Sequence, residues 1–81
     1  MIALDKETLD FEHVRWRYPG AKEAAIRERF DESPTSYYAR LNQIIDKPAA
    51  WAHSPQLVKR LRRQRAARQA VREARRADFE L

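Results

Sequence analysis

The stretch KEAAIRERFDESPTSYYARLN, from Lys22 to Asn42, limits the fold more than any other part of the chain. Ile26 and Phe30 stand at i and i+4, and Tyr37, Leu41 and Ile44 follow at i, i+4 and i+7, so two apolar stripes of helical period flank Asp31-Glu32-Ser33. A linker that short makes a sharp corner, the connection two crossed helices need when the second must lie in a groove. Ser33 can cap the new helix, and Pro34 suits its first position, where no amide donor is missed. The corner also departs from the usual pattern. Its first position often needs positive φ and favours Gly, but holds Asp31; the next is commonly apolar, but holds Glu32. Two carboxylates facing DNA would repel phosphates; their plainer role is to cap and solvate the corner.

The pattern predicts an all-α chain: a small three-helix helix-turn-helix core over residues 1–53, then an arginine-rich C-terminal helix and short acidic tail over 54–81. One Gly in 81 residues and 43% hydrophobic content agree with helices rather than a turn-rich β fold. No cysteine is present, so stability must come from helix packing or self-association. No apolar run approaches a membrane span and the N-terminus lacks the pattern of a secretory signal, so the expected location is the cytoplasm. The net charge of +5 is unevenly placed: residues 1–53 hold 8 Lys and Arg against 9 Asp and Glu, and residues 54–81 hold 9 against 3. Such a basic arm is expected of a chain that binds a polyanion, which would put it on the nucleoid if that polyanion is DNA.

In chain order, a first helix is expected from about Asp5 or Thr8, carrying Phe11, Val14 and Tyr18 into the core, with Pro19-Gly20 ending it. Ala21 to Phe30 reads as the second helix, with mixed charge on its solvated face. Pro34 to about Asp46 reads as the third. At about 100° per residue, Tyr37, Leu41 and Ile44 point inward there, leaving Thr35, Ser36, Ala39, Asn42 and Gln43 outward, with Tyr38 and Arg40 beside the stripe. Lys47-Pro48 stops this helix, Trp51 is expected to lid the core, and Ser54-Pro55 opens a fourth helix fixed by Leu57, Val58 and Leu61. Beyond Leu61 its apolar residues shrink mostly to alanine among many arginines, a poor coiled-coil seam whose repelling charges would fray without a polyanion. The closing ADFEL is expected to be a flexible acidic tail.

The run WRYPGAKEAAIRERF, then SPTSYYARLNQIIDKPAA, then SPQLVKRLRRQR resembles a family of small uncharacterised actinobacterial and actinophage proteins. Its specific parts are Trp16 with Tyr18, Gly20-Ala21-Lys22-Glu23, Ala25-Ile26-Arg27 with Phe30, Tyr37-Tyr38 with Leu41-Asn42, and Leu61-Arg62-Arg63. The resemblance implies a helix-turn-helix fold and a bacterial or phage setting, without naming a target. Where relatives tend to carry Gly at the turn this chain has Asp31, and where they tend to carry Leu it has Trp51.

The expected partner is duplex DNA, bound by a transcription regulator or small architectural factor with its third helix in the major groove. Ser33, Thr35, Ser36, Tyr38, Arg40, Asn42 and Gln43 are candidates at the groove; Lys59, Arg60, Arg62, Arg63, Arg65 and Arg68 are candidates on phosphates. One small unit reads few base pairs, so specificity would need a homodimer or a further partner, although no dimer surface is legible. Two alternatives compete: a protein-interaction module docking on transcription machinery, and RNA binding by the arginine-rich helix alone. Enzymatic chemistry is not expected, because the chain has no cysteine nucleophile, glycine-rich phosphate loop or metal-ligand spacing. No cofactor is expected either, and His13 and His53 lack ligand partners in sequence.

Overall fold

Every proline in the chain opens a helix, and that rule organises the computed structural model. It describes the backbone of residues 1–80 and the side chains of residues 1–77. The elements are α1 (Ala3–Glu12), α2 (Pro19–Phe30), α3 (Pro34–Ile44), α4 (Pro48–His53) and α5 (Pro55–Glu80), with no strand among the described residues. Proline suits a first helical position because its missing N–H is one of the donors a helix leaves unsatisfied there, and its fixed φ is already helical. Pro19 and Pro48 therefore start α2 and α4, rather than stopping the helices before them. Lys47, just before Pro48, is extended at φ −81° and ψ 135°, as the proline ring requires.

The first helix departs most from expectation. It starts earlier, at Ala3, and ends at Glu12, so Val14 and Tyr18 lie in an irregular connection and are exposed. Trp16 folds back to stack on Phe11 with ring centroids 5.5 Å apart, a contact a continued helix would forbid, since residues five apart point to different sides. The stripe that α1 buries is Asp5, Thr8, Leu9 and Glu12 at i, i+3, i+4 and i+7, and it is mostly polar. Such groups tolerate burial only when paired. Lys47 Nζ donates to Asp5 at 2.9 Å, Thr8 Oγ1 donates to the Leu4 carbonyl at 2.8 Å, and Glu12 accepts from the Tyr37 hydroxyl at 2.5 Å and from Lys22 Nζ at 3.1 Å. Burial, then the Glu12 carboxylate, pushes the Tyr37 hydroxyl far above the ordinary phenol range, so it remains a donor to Glu12.

The apolar core runs through α1, α2, α3, α4 and the first turns of α5: Leu9, Ile26, Tyr37, Ile44, Ala50 and Val58 are its most enclosed members. Phe11, Phe30 and Tyr37 form an aromatic knot with centroids 5.3–5.7 Å apart, in edge and tilted arrangements that favour such pairs. Trp51 does not lid this core. It is 43% exposed, and Ala50 fills the inward position of α4 instead. Alanine lets the short helix approach α1 closely; the indole, one residue on, turns outward beneath the Arg62 guanidinium at 5.7 Å.

The corner between α2 and α3 is well specified. Asp31 adopts the left-handed conformation at φ 51° and ψ 42°, the role its position predicted for a glycine. Ser33 caps α3, its Oγ accepting from the Ser36 N–H at 3.1 Å. α3 ends at Ile44, slightly before the expected Asp46. α5 continues as helix to Glu80; of the expected flexible tail, the side chains from Asp78 onward and all of Leu81 lie outside the described residues.

Candidate functional site

Once Tyr37, Leu41, Ile44 and Ile45 are buried, the remaining face of α3 is set by helical period. Thr35, Ser36, Ala39, Asn42 and Gln43 are all exposed on one arc, as expected from the sequence. The arc is polar, uncharged and centred on Ala39, so its middle has no bulk to hold a ligand off.

Two of the corner candidates have structural duties. Ser33 is spent on the cap. Arg40 is half-buried and ion-paired with Glu32, its Nε donating at 3.0 Å, while its Nη1 donates to Thr8 at 2.6 Å and its guanidinium lies 5.4 Å from the Phe30 ring. It ties α1 to the corner rather than reaching out from α3. The same contact removes the objection that Glu32 would repel phosphate. The Arg40 hydrogen bond, opposed by burial and assisted by Ser36, holds the Glu32 carboxyl below its usual range, and the charge is matched in place.

α5 supplies the basic surface. Its 26 residues, about 39 Å of helix at 1.5 Å per residue, run along a molecule 47 Å in its longest dimension. Leu57 and Val58 are buried in the first turn, whereas residues 66–77 are all exposed. The face that carries Leu57 and Leu61 continues as Gln64, Arg65, Arg68 and Arg72 at helical spacing, so an apolar stripe becomes a basic one without leaving its side of the helix. Lys59 and Arg63 are exposed, Arg60 is half-buried with its Nη2 3.5 Å from the Glu12 carbonyl, and Arg62 rides over Trp51.

Arg65 fastens this helix to α3. Its guanidinium makes two hydrogen bonds to the Asp46 carboxylate, at 2.8 and 3.1 Å, and a third at 3.3 Å to the Asn42 carbonyl. The hydrogen bond from Arg65 lowers the Asp46 carboxyl below its usual range and raises the guanidinium. The basic face of α5 and the polar arc of α3 therefore meet along one edge.

Between them lies a groove. α5 packs chiefly on α4 while α3 pairs with α2, so α3 and α5 leave a cleft of about 410 Å³. Leu41, Ile45 and Leu61 line it with Tyr38 and Asn42; Gln64, Arg68, Gln69 and Arg72 line it from α5. A second hollow of about 470 Å³ shares Glu12, Lys22, Tyr38, Leu61 and Gln64 and continues toward Arg15 and Arg17. Lys22 sits at the junction, its Nζ 3.0 Å from Glu12 and 5.2 Å from the centre of the Tyr38 ring. Lys22, Gln64, Gln69 and Arg72 were not among the sequence candidates. The continuing stripe from Leu57 was the available signal for the α5 members; Lys22 needed the fold.

His13 and His53 serve as ties between elements, with Nε2 3.4 Å from Ser54 Oγ and from Asp10 Oδ1 respectively. No helix among the described residues is long and apolar enough to cross a membrane. The family model described as "Protein of unknown function (DUF3263)" matches residues 1–73. No curated protein and no solved structure matches the chain.

Proposed function

The chain belongs to this family of proteins of unknown function, and from its own surface we propose that it binds duplex DNA as a small helix-turn-helix protein. In this reading α2 and α3 form the motif, and the outward arc of α3 enters the major groove, whose width admits a helix. Thr35, Asn42 and Gln43 meet base edges, while Lys59, Arg60, Arg63 and Arg68 neutralise phosphates. Transcriptional regulation or local DNA architecture is the corresponding role, on the bacterial nucleoid.

The observation that carries the reading is the shared edge. A polar arc with a small residue at its centre lies beside a basic helix, and Arg65 joins the two through Asn42 and Asp46. Neither half alone would point to a duplex. A polar arc without cations lacks affinity, and a basic helix without a reading face lacks register.

The test is binding of the full-length protein to a short random-sequence duplex over a salt series, beside Thr35→Ala/Asn42→Ala/Gln43→Ala and Lys59→Gln/Arg63→Gln/Arg68→Gln. These substitutions fall on exposed positions and keep Leu57 and Val58, the buried residues that a truncation at Ser54 would remove. The α5 variant should weaken binding and flatten its salt dependence; the α3 variant should reduce affinity at unchanged salt slope. Failure to bind duplex at low salt, or binding indifferent to the α3 substitutions, sinks the proposal.

A further inference from the structure

We propose that the groove between α3 and α5 is a second nucleic-acid site, one that takes a single unpaired strand rather than a duplex. The inference extends the duplex reading to a surface that reading meets only at its rim, through Asn42 and Arg68. The outward arc of α3 is centred on Ala39; the groove opens beside Tyr38 and Asn42, where the helix turns toward α5. A duplex seated on the arc can touch only the rim of this cleft.

The lining matches the parts of an unpaired nucleotide. A base taken out of its pair has apolar faces, polar edges with donors and acceptors, and an attached phosphate. Leu61 and the Tyr38 ring, both half-buried, provide the apolar surface of the cleft, over a floor of the core residues Leu41 and Ile45. The amides of Gln64, Gln69 and Asn42 offer both donors and acceptors, as base edges require. Arg68 and Arg72 bring cations, and among the described residues neither is in an ion pair, in contrast to Arg65 on the same face. The cleft and its continuation share Lys22 and Tyr38, so a strand can run from the α3–α5 notch toward Arg15 and Arg17.

An acidic peptide would be drawn to the same cations. It would satisfy the cations and the amides but leave the Tyr38 ring and the Leu61 side chain without a matching group, since a carboxylate side chain has no apolar face to set against them. The carboxylate within the cleft, Glu12, is already engaged by Tyr37 and Lys22, so it does not cancel the arginines.

The experiment uses the full-length chain and three fluorescein-labelled probes: an oligo(dT) of about eight nucleotides, a random-sequence duplex, and an oligoglutamate peptide of similar length. The groove variant is Gln64→Ala/Gln69→Ala/Arg72→Gln, all exposed on α5 and all replaced by good helix formers. The arc variant is Thr35→Ala/Gln43→Ala, and circular dichroism checks that both remain helical. The expected result is a loss of about tenfold in oligo(dT) affinity for the groove variant, with duplex affinity held within about twofold, and the reverse pattern for the arc variant. The inference is overturned if oligo(dT) does not bind, if oligo(dT) and duplex lose affinity together in the groove variant, or if oligoglutamate binds with the same dependence on the groove residues. Failure of the unaltered chain to bind the duplex, with its oligo(dT) binding dependent on the groove residues, would refute the duplex reading and support the groove.

Discussion

Replacing Asp46 by Asn should make duplex binding stronger and more sensitive to salt. Asp46 holds Arg65 by two hydrogen bonds and lies 3.9 Å from Arg62 Nε, so two of the six basic residues that the sequence offers to phosphates are held by a carboxylate. Lys59, Arg60, Arg63 and Arg68 remain, and four phosphate contacts at about 0.9 released counterions each give a log–log salt slope of about −3.6. Asparagine keeps the shape of the site and removes its charge. If Arg65 and Arg62 then reach phosphate, six contacts give a slope of about −5.4, and affinity at low salt rises with it. The pair is exposed, so the substitution should leave the fold in place, and helicity measured alongside binding checks this. The assay is fluorescence anisotropy of a short duplex between about 50 and 200 mM salt, the range over which such slopes are readable. Protonation should do the same work as substitution. Asp46 has its pKa lowered in the folded chain, so the pair persists at neutral pH and is lost only as pH falls through that depressed value. An Asp46→Asn slope equal to or shallower than that of the unaltered chain would refute the counting, and with it the placement of α5 along the backbone.

Three further outcomes follow from the packing. Arg40→Gln should cost about 2 kcal/mol in urea unfolding, because Glu32 loses its cation, keeping only Ser36, and Thr8 keeps only its bond to the Leu4 carbonyl. Glu32 has its pKa lowered by Arg40, so its stabilisation is present above the unfolded carboxylate pKa and fades as pH falls through the folded value; the variant should show a flatter stability profile below about pH 5. Tyr37→Phe should cost about 1–2 kcal/mol, since Glu12 stays buried with Lys22 as its remaining partner, and an unchanged unfolding midpoint would contradict that bond. Asp31→Gly should stabilise by about 0.5 kcal/mol by relieving the positive φ, while Asp31→Val should destabilise; thermal midpoints moving the other way would contradict the strain.

Local signals carried the middle of the chain. Ser33-Pro34 marked the start of α3 because a cap and a first-turn proline act within a few residues, and the stripe of Tyr37, Leu41 and Ile44 divided that helix into the two faces observed. Leu57 and Val58 anchored α5 for the same reason. Elsewhere the apolar pattern held only in part. Of Phe11, Val14 and Tyr18, only Phe11 is buried, and α1 also buries Asp5, Thr8 and Glu12, whose burial depends on Lys47, Arg40, Tyr37 and Lys22 arriving from elsewhere in the chain. A carboxylate in isolation reads as solvated. Trp51 reads as core and is not, because Ala50 takes the one inward position that close approach to α1 allows.

The sequence by itself determined an all-helical chain with a tight α2–α3 corner, an outward polar arc on α3 and a basic C-terminal helix. These follow from periodicity, caps and prolines, all of which act over one or two turns. Only the tertiary structure decided which charges are spent and which are free. Arg40 and Arg65 look like their neighbours in sequence, but one is held by Glu32 and Thr8 and the other by Asp46 and Asn42. The cleft that gathers Lys22, Tyr38, Gln64 and Arg72 likewise exists only because α5 leaves α3 and follows α4, a choice of packing partner made by contacts distant in sequence.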